Sequence, residues 1–236
     1  MILRLAAPAA LALFVSATPA AAAERSWGIG SFDRLRIDGP FEVRVTTGGS
    51  PRARAQAADP RLLERLSIEV QGNTLVVHLQ GEGWAGLGGS VVDPPVITLS
   101  TPSLAAVTLL SGTRVTVAGM RGTRVSLNVT GSGIISATGV EAQALDATLI
   151  GTGAITLAGR AQKVRLSTNG PGTLDAAALD ASDLVISLDG AGETRARARY
   201  TAQVVSNGLG RVTVAGTPKC TIRAAAGGPV QCGAGL

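Results

Sequence analysis

The sequence predicts an all-β protein: a right-handed parallel β-helix, or β-solenoid, with coils of about 20 residues. Three observations carry this. Short Gly-rich turns recur at a near-constant interval. Apolar residues alternate on both sides of each turn. The 236 residues include 31 Gly but only 3% aromatics, which suits a narrow interior better than a sandwich core. With 45% hydrophobic and 16% charged residues, the chain is too apolar to be disordered.

Residues 1–23 read as a secretory signal. Arg4 gives a positive start, residues 5–15 are apolar, and Ala21 to Ala23 are small, placing cleavage between Ala23 and Glu24. The apolar run falls short of the ~20 residues that span a bilayer. No later segment is long and apolar enough to do so. The expectation is one exported domain over 24–236, periplasmic, extracellular or on the cell surface.

Residues 30–110 form an irregular first part. Alternation marks strands at 32–37, 41–47 and 52–57. Asp59-Pro60 opens one or two helical turns, with Asp59 as cap and Pro60 at the first position. Residues 67–70 and 74–79 flank Gln71-Gly72-Asn73 as a hairpin. The Gly-rich stretch 81–89 reads as a loop, and 96–99 and 105–109 as strands. This part is expected to cap the solenoid, because an open coil end exposes strand edges.

Regular coils fill residues 111–236. Their turns are Ser111-Gly112-Thr113, Gly131-Ser132-Gly133, Gly151-Thr152-Gly153, Gly170-Pro171-Gly172, Gly190-Ala191-Gly192, Gly208-Leu209-Gly210 and Gly228-Pro229-Val230, at intervals of 20, 20, 19, 20, 18 and 20. Four positions after the turns come Val115, Ile135, Ile155, Leu174, Thr194 and Val212; six positions after come Val117, Ala137, Leu157, Ala176, Ala196 and Val214. Thr116, Ser136, Thr156, Asp175, Arg195 and Thr213 lie between them, facing outward. Period-two alternation is a half-buried strand. The next outward column is Ala118, Thr138, Ala158, Ala177, Arg197 and Ala215, which lacks the regular Thr of an ice-binding face. A second strand precedes each turn, as in Val125, Leu127 and Val129. These second strands align only when counted backward. Length differences therefore fall between the two strands, at 120–123, 177–182 and 200–201. One such unit cannot bury its own apolar face, but stacked units can, each adding about 4.8 Å. The Leu/Asn pattern of a leucine-rich repeat is absent.

Cys220 and Cys232 are the only cysteines. In an oxidising compartment they read as a disulfide on the last coil. A reactive thiol pair would want C-x-x-C spacing and a nearby base. The formal net charge of +5 comes without clustered basic runs, so no nucleic-acid partner is expected.

Two stretches, Ser31-Phe32-Asp33-Arg34-Leu35-Arg36-Ile37-Asp38-Gly39-Pro40-Phe41 and Leu66-Ser67-Ile68-Glu69-Val70-Gln71-Gly72-Asn73-Thr74-Leu75, together with the recurring Gly-Ser-Gly and Gly-Thr-Gly turns, resemble the putative auto-transporter adhesin "head GIN" domain family of exported bacterial proteins. The resemblance covers roughly residues 30–232. It implies a β-solenoid and brings no catalytic residues. Family members often place Asn or Asp after the Gly-Ser-Gly turn, where this chain has Ile134 and Ala154.

Candidate chemistry is sparse. The lone His78 sits on a strand with no nucleophile motif beside it. Asp175, Asp180 and Asp183 form the one acidic cluster, expected in a loop. They are the candidates for a polysaccharide lyase or hydrolase of the β-helix type, which needs paired carboxylates. Trp84, in the Gly-rich loop, either stacks on a sugar or covers one end of the core. No catalytic residue, metal or cofactor is expected. The function expected is an exported, non-enzymatic module for binding or adhesion. Envelope polysaccharide or protein is its expected partner class, and self-association through a poorly capped end is a further expectation.

Overall fold

The computed structural model describes residues 22–81 and 93–234. Stacked parallel coils form a β-solenoid of about 6 turns. The first strands are β1 (Ala23–Trp27), β2 (Arg34–Asp38), β3 (Glu42–Thr47) and β4 (Arg52–Ala57). Helix α1 (Pro60–Arg65) follows, its Asp59 carboxylate accepting from the Arg61 backbone N–H at 2.9 Å. Next come β5 (Leu66–Gln71), β6 (Thr74–Leu79), β7 (Val96–Thr101) and β8 (Ala106–Leu110). The expected hairpin is the antiparallel pair β5–β6. Strand β1 was not anticipated. Ala23 and Glu24 lie in it, opposite Ala57 and Gln56 of β4. Residues 1–21 and Trp84 lie outside the described residues.

Each regular coil is one long bent strand rather than two strands and a loop. These are β9 (Arg114–Gly131), β10 (Ile134–Gly151), β11 (Ala154–Asn169), β12 (Thr173–Asp189) and β13 (Glu193–Ser206). The first half of each lies on one face, here A, and the second half on the other, B. Gly139 takes the bend of β10 at φ 65°, a region an L side chain rarely adopts. The last coils are β14 (Arg211–Gly216) and β16 (Val230–Ala234) on face A, and β15 (Lys219–Ala224) on face B.

The anticipated inward column is present. Val115, Ile135, Ile155, Leu174, Thr194 and Val212 stand in register from coil to coil. All six are 0% exposed. On face B, Leu127, Ala147, Leu166, Ile186 and Val204 form an equivalent file. Register shifts fall in the bends, as the unequal coil lengths require. Two details differ from the column count. Ala158 pairs with Ala178 rather than Ala177, because β12 carries one extra residue there. Thr213 and Ala215, expected to face outward, are buried at 9% and 1%.

The N-terminal part does more than cap. β3 pairs with β7 on one side and β9 on the other, and β2 lies between β6 and β8. The earliest full coil, β2–β3, is therefore inserted between the levels of β6–β7 and β8–β9. Beyond it, α1 buries Leu62 and Leu63 against β1 and β4 and closes that end.

Candidate functional site

The outer side of the A-to-B bend carries the clearest constellation. Short polar segments there put one charged residue per coil into a single vertical file. Arg121, Glu141, Arg160 and Asp180 are in register. The Glu141 carboxylate accepts from Arg160 Nη2 at 2.8 Å and lies 3.3 Å from Arg121 Nε. Asp180 Oδ2 accepts from Arg199 Nη2 at 2.7 Å, and this carboxylate holds the Arg199 guanidinium above its ordinary pKa. The signs alternate up the stack. Beside the ladder runs a cleft of about 360 Å³. Gly122, Ala142 and Ala161, in register, line its floor, and Gln143 and Gln162 stand along it. A second cleft of about 390 Å³ runs next to it, lined by Arg124, Lys163, Arg165 and Asp183 among others.

This ladder was missed in the sequence, although its signal is there. Opposite charges recur at intervals of 20, 19 and 20 between Arg121, Glu141, Arg160 and Asp180. Because the signs alternate, no single residue type recurs at one coil length.

The expected acidic cluster is not a loop. Asp175, Asp180 and Asp183 all belong to β12, and each has a different partner. Asp175 accepts from the Ala177 backbone N–H at 3.0 Å, Asp180 pairs with Arg199, and Asp183 accepts from Thr201 Oγ1 at 2.6 Å. Asp175 sits on face A between Thr156 and Arg195, while Asp183 opens the face-B half. Each carboxylate is thus taken up by its own partner.

His78 is half-buried in β6, opposite Asp38 of β2. It lines an N-terminal cleft of about 570 Å³ that also contains Ser111. The Ser111 hydroxyl donates to Asp38 Oδ1 at 3.0 Å. The strand order β8–β2–β6 puts the carboxylate between hydroxyl and imidazole. The serine proton therefore goes to Asp38 and not to His78, which is not the relay of a Ser-His-Asp triad.

Cys220 and Cys232 are joined as a disulfide with a Cα–Cα distance of 6.4 Å. Trp27 is half-buried, with the Arg25 guanidinium 4.9 Å from its ring centre. Among the described residues no group of three or more His, Cys, Asp or Glu could hold a metal ion. No described helix is long and apolar enough to cross a membrane.

Comparison with known proteins places this architecture. A family model described as "Putative auto-transporter adhesin, head GIN domain" matches residues 31–218. No curated protein matches the sequence. Among solved structures, a "putative adhesin" from Bacteroides fragilis is 18% identical with a TM-score of 0.81, over 89% of this chain and 96% of that one. A "putative lipid binding protein" from Parabacteroides distasonis is 16% identical with a TM-score of 0.68, over 89% and 96%. A "putative adhesin" from Parabacteroides merdae is 15% identical with a TM-score of 0.62, over 89% and 95%. At these identities the likeness is one of fold.

Proposed function

The chain belongs to the head GIN domain family, and from that premise we propose an exported, non-enzymatic β-solenoid that binds a component of the bacterial envelope. In this reading residues 1–23 are removed between Ala23 and Glu24. Residues 24–236 then act as one domain in the periplasm or at the cell surface. The signal-like start and the Cys220–Cys232 bond support export.

The observation that carries the reading is the ladder and its two clefts. Paired backbone on both faces holds each outward side chain at a fixed height. Such a surface is ordered before any ligand arrives, and preorganisation lowers the cost of binding. The names of the family and of its structural relatives point the same way.

The test is a screen of the purified mature protein against envelope polysaccharides and envelope proteins from a Gram-negative bacterium. Saturable binding to one fraction is the expected result. Binding to none of them would remove the binding role.

A further inference from the structure

We propose that the groove beside the charge ladder binds an anionic polysaccharide, laid lengthwise along the stack. This rests on the reading of the chain as a binding module and gives that module a site and a ligand class.

Shape comes first. The cleft follows the bend from Gly122 on β9 to Arg199 on β13. At about 4.8 Å per coil, that is roughly 19 Å of continuous groove. A long, shallow channel with a floor of Gly and Ala suits an extended polymer better than a compact metabolite.

The lining chemistry repeats with each coil. One side presents guanidinium and carboxylate groups alternately, and Gln143 and Gln162 offer amides. The guanidinium groups donate, the carboxylates accept and the amides do both, a mixture that matches the neighbouring hydroxyls of a sugar chain. The ion pairs of the ladder do not block this. Arg121 and Arg160 are 76% and 75% exposed, so their pairs with Glu141 contribute little and exchange partners at small cost.

Charge selects among polymers. Arg124 and Lys163 are exposed and hold no ion pair among the described residues. They belong to one register file with only Ala144 between them. Two cations therefore stand two coils apart, roughly 9.6 Å, over a small residue that leaves the space between them open. A carboxylate pendant on a sugar fits that slot; Asp146 flanks it on the same coil as Ala144, with its carboxylate 3.9 Å from Arg165 on the next, and Asp183 follows Lys163 in the file. Across the two clefts Arg124, Arg160, Lys163, Arg165 and Arg199 outnumber Glu141, Asp146, Asp180 and Asp183 by one. Among the described residues no aromatic lines either cleft to stack a base, which a nucleic-acid strand would call for.

Polygalacturonate is the probe, with dextran as the neutral counterpart, titrated calorimetrically against the mature protein at low salt. Binding to polygalacturonate but not dextran is expected, weakening as salt rises. Arg124→Gln/Lys163→Gln should lower that affinity roughly tenfold or more. Gln143→Glu/Gln162→Glu, which puts negative charge along the groove at exposed positions, should do the same. Unchanged affinity in both double variants, or equal binding of dextran, overturns the proposal. A parent that ignores polygalacturonate but retains an envelope fraction in the screen also overturns it, while the binding role stands. A parent that retains nothing removes both.

Discussion

The hydroxyls of Thr168 and Thr194 stand 3.2 Å apart inside the stack, although the two residues belong to different faces. Each interrupts an apolar file. Thr168 lies between Leu149 and Leu188, and Thr194 between Leu174 and Val212. Both are buried, at 2% and 0% exposure. A buried hydroxyl without a partner is costly, and here each satisfies the other. Thr168→Val should therefore destabilise by about 1–3 kcal/mol, because Thr194 loses its partner. The double variant Thr168→Val/Thr194→Val should return close to the parent. Urea denaturation of the four proteins checks this, and simple addition of the two single effects would contradict it.

Ser206 shows the opposite case. It follows Leu188 in the file that holds Thr168, is 0% exposed, and its hydroxyl has no hydrogen-bond partner among the described residues. Replacing it removes a polar atom that gains nothing from the interior. Ser206→Ala should stabilise the protein by about 1 kcal/mol. A shift of the urea midpoint to lower concentration would show that the hydroxyl is satisfied after all.

Much of this interior was legible in the sequence, and the reason is local. Val115, Ile135, Ile155 and Leu174 repeat at one coil length and alternate with polar neighbours, so their file could be read without coordinates. The insertion of β2–β3 was not legible. Leu35 pairs with Leu75 and Val107, far along the chain, and no local pattern records which level a strand joins. The charge ladder fell between these cases. Its residues sit in the bends, where coil lengths differ and columns drift. Arg199 pairs with Asp180 although the backbone register sets Arg197 opposite it.

The corner glycines predict an uneven response to mutation. A Cβ at Gly153 would stand 2.2 Å from the Gly133 carbonyl oxygen and 3.0 Å from Val129 Cγ1. The clash is with backbone one coil below, which can move only if the stack opens. At Gly112 the nearest atom is Ser132 Oγ at 3.4 Å, the end of a small side chain. Gly153→Ala should cost roughly 3 kcal/mol and Gly112→Ala less than about 1 kcal/mol. Thermal melts of the two variants side by side decide it; equal losses would mean that the corners are looser than these contacts require.

The last coil is thinly packed on face B and is tied by a disulfide. Cys220 stacks over Ala202 on face B and Cys232 over Val214 on face A, so the bond ties the two faces together at the open end. The inward file shows why a tie is needed there. Leu166, Ile186 and Val204 are 0% exposed, but Ile222, next above them, is 45% exposed. Burial that holds every earlier level is thus halved at the top one. Closing a loop across a sequence separation of 12 restricts the unfolded chain by roughly 3 kcal/mol in the chain-entropy model. Cys220→Ser/Cys232→Ser should therefore release the terminal coil first. Hydrogen exchange should speed up in β14, β15 and β16 while β9 to β12 keep their protection, because each coil depends mainly on its neighbours. Loss of protection spread evenly over all coils would show instead that the stack unfolds as one unit and that the bond acts on the whole of it.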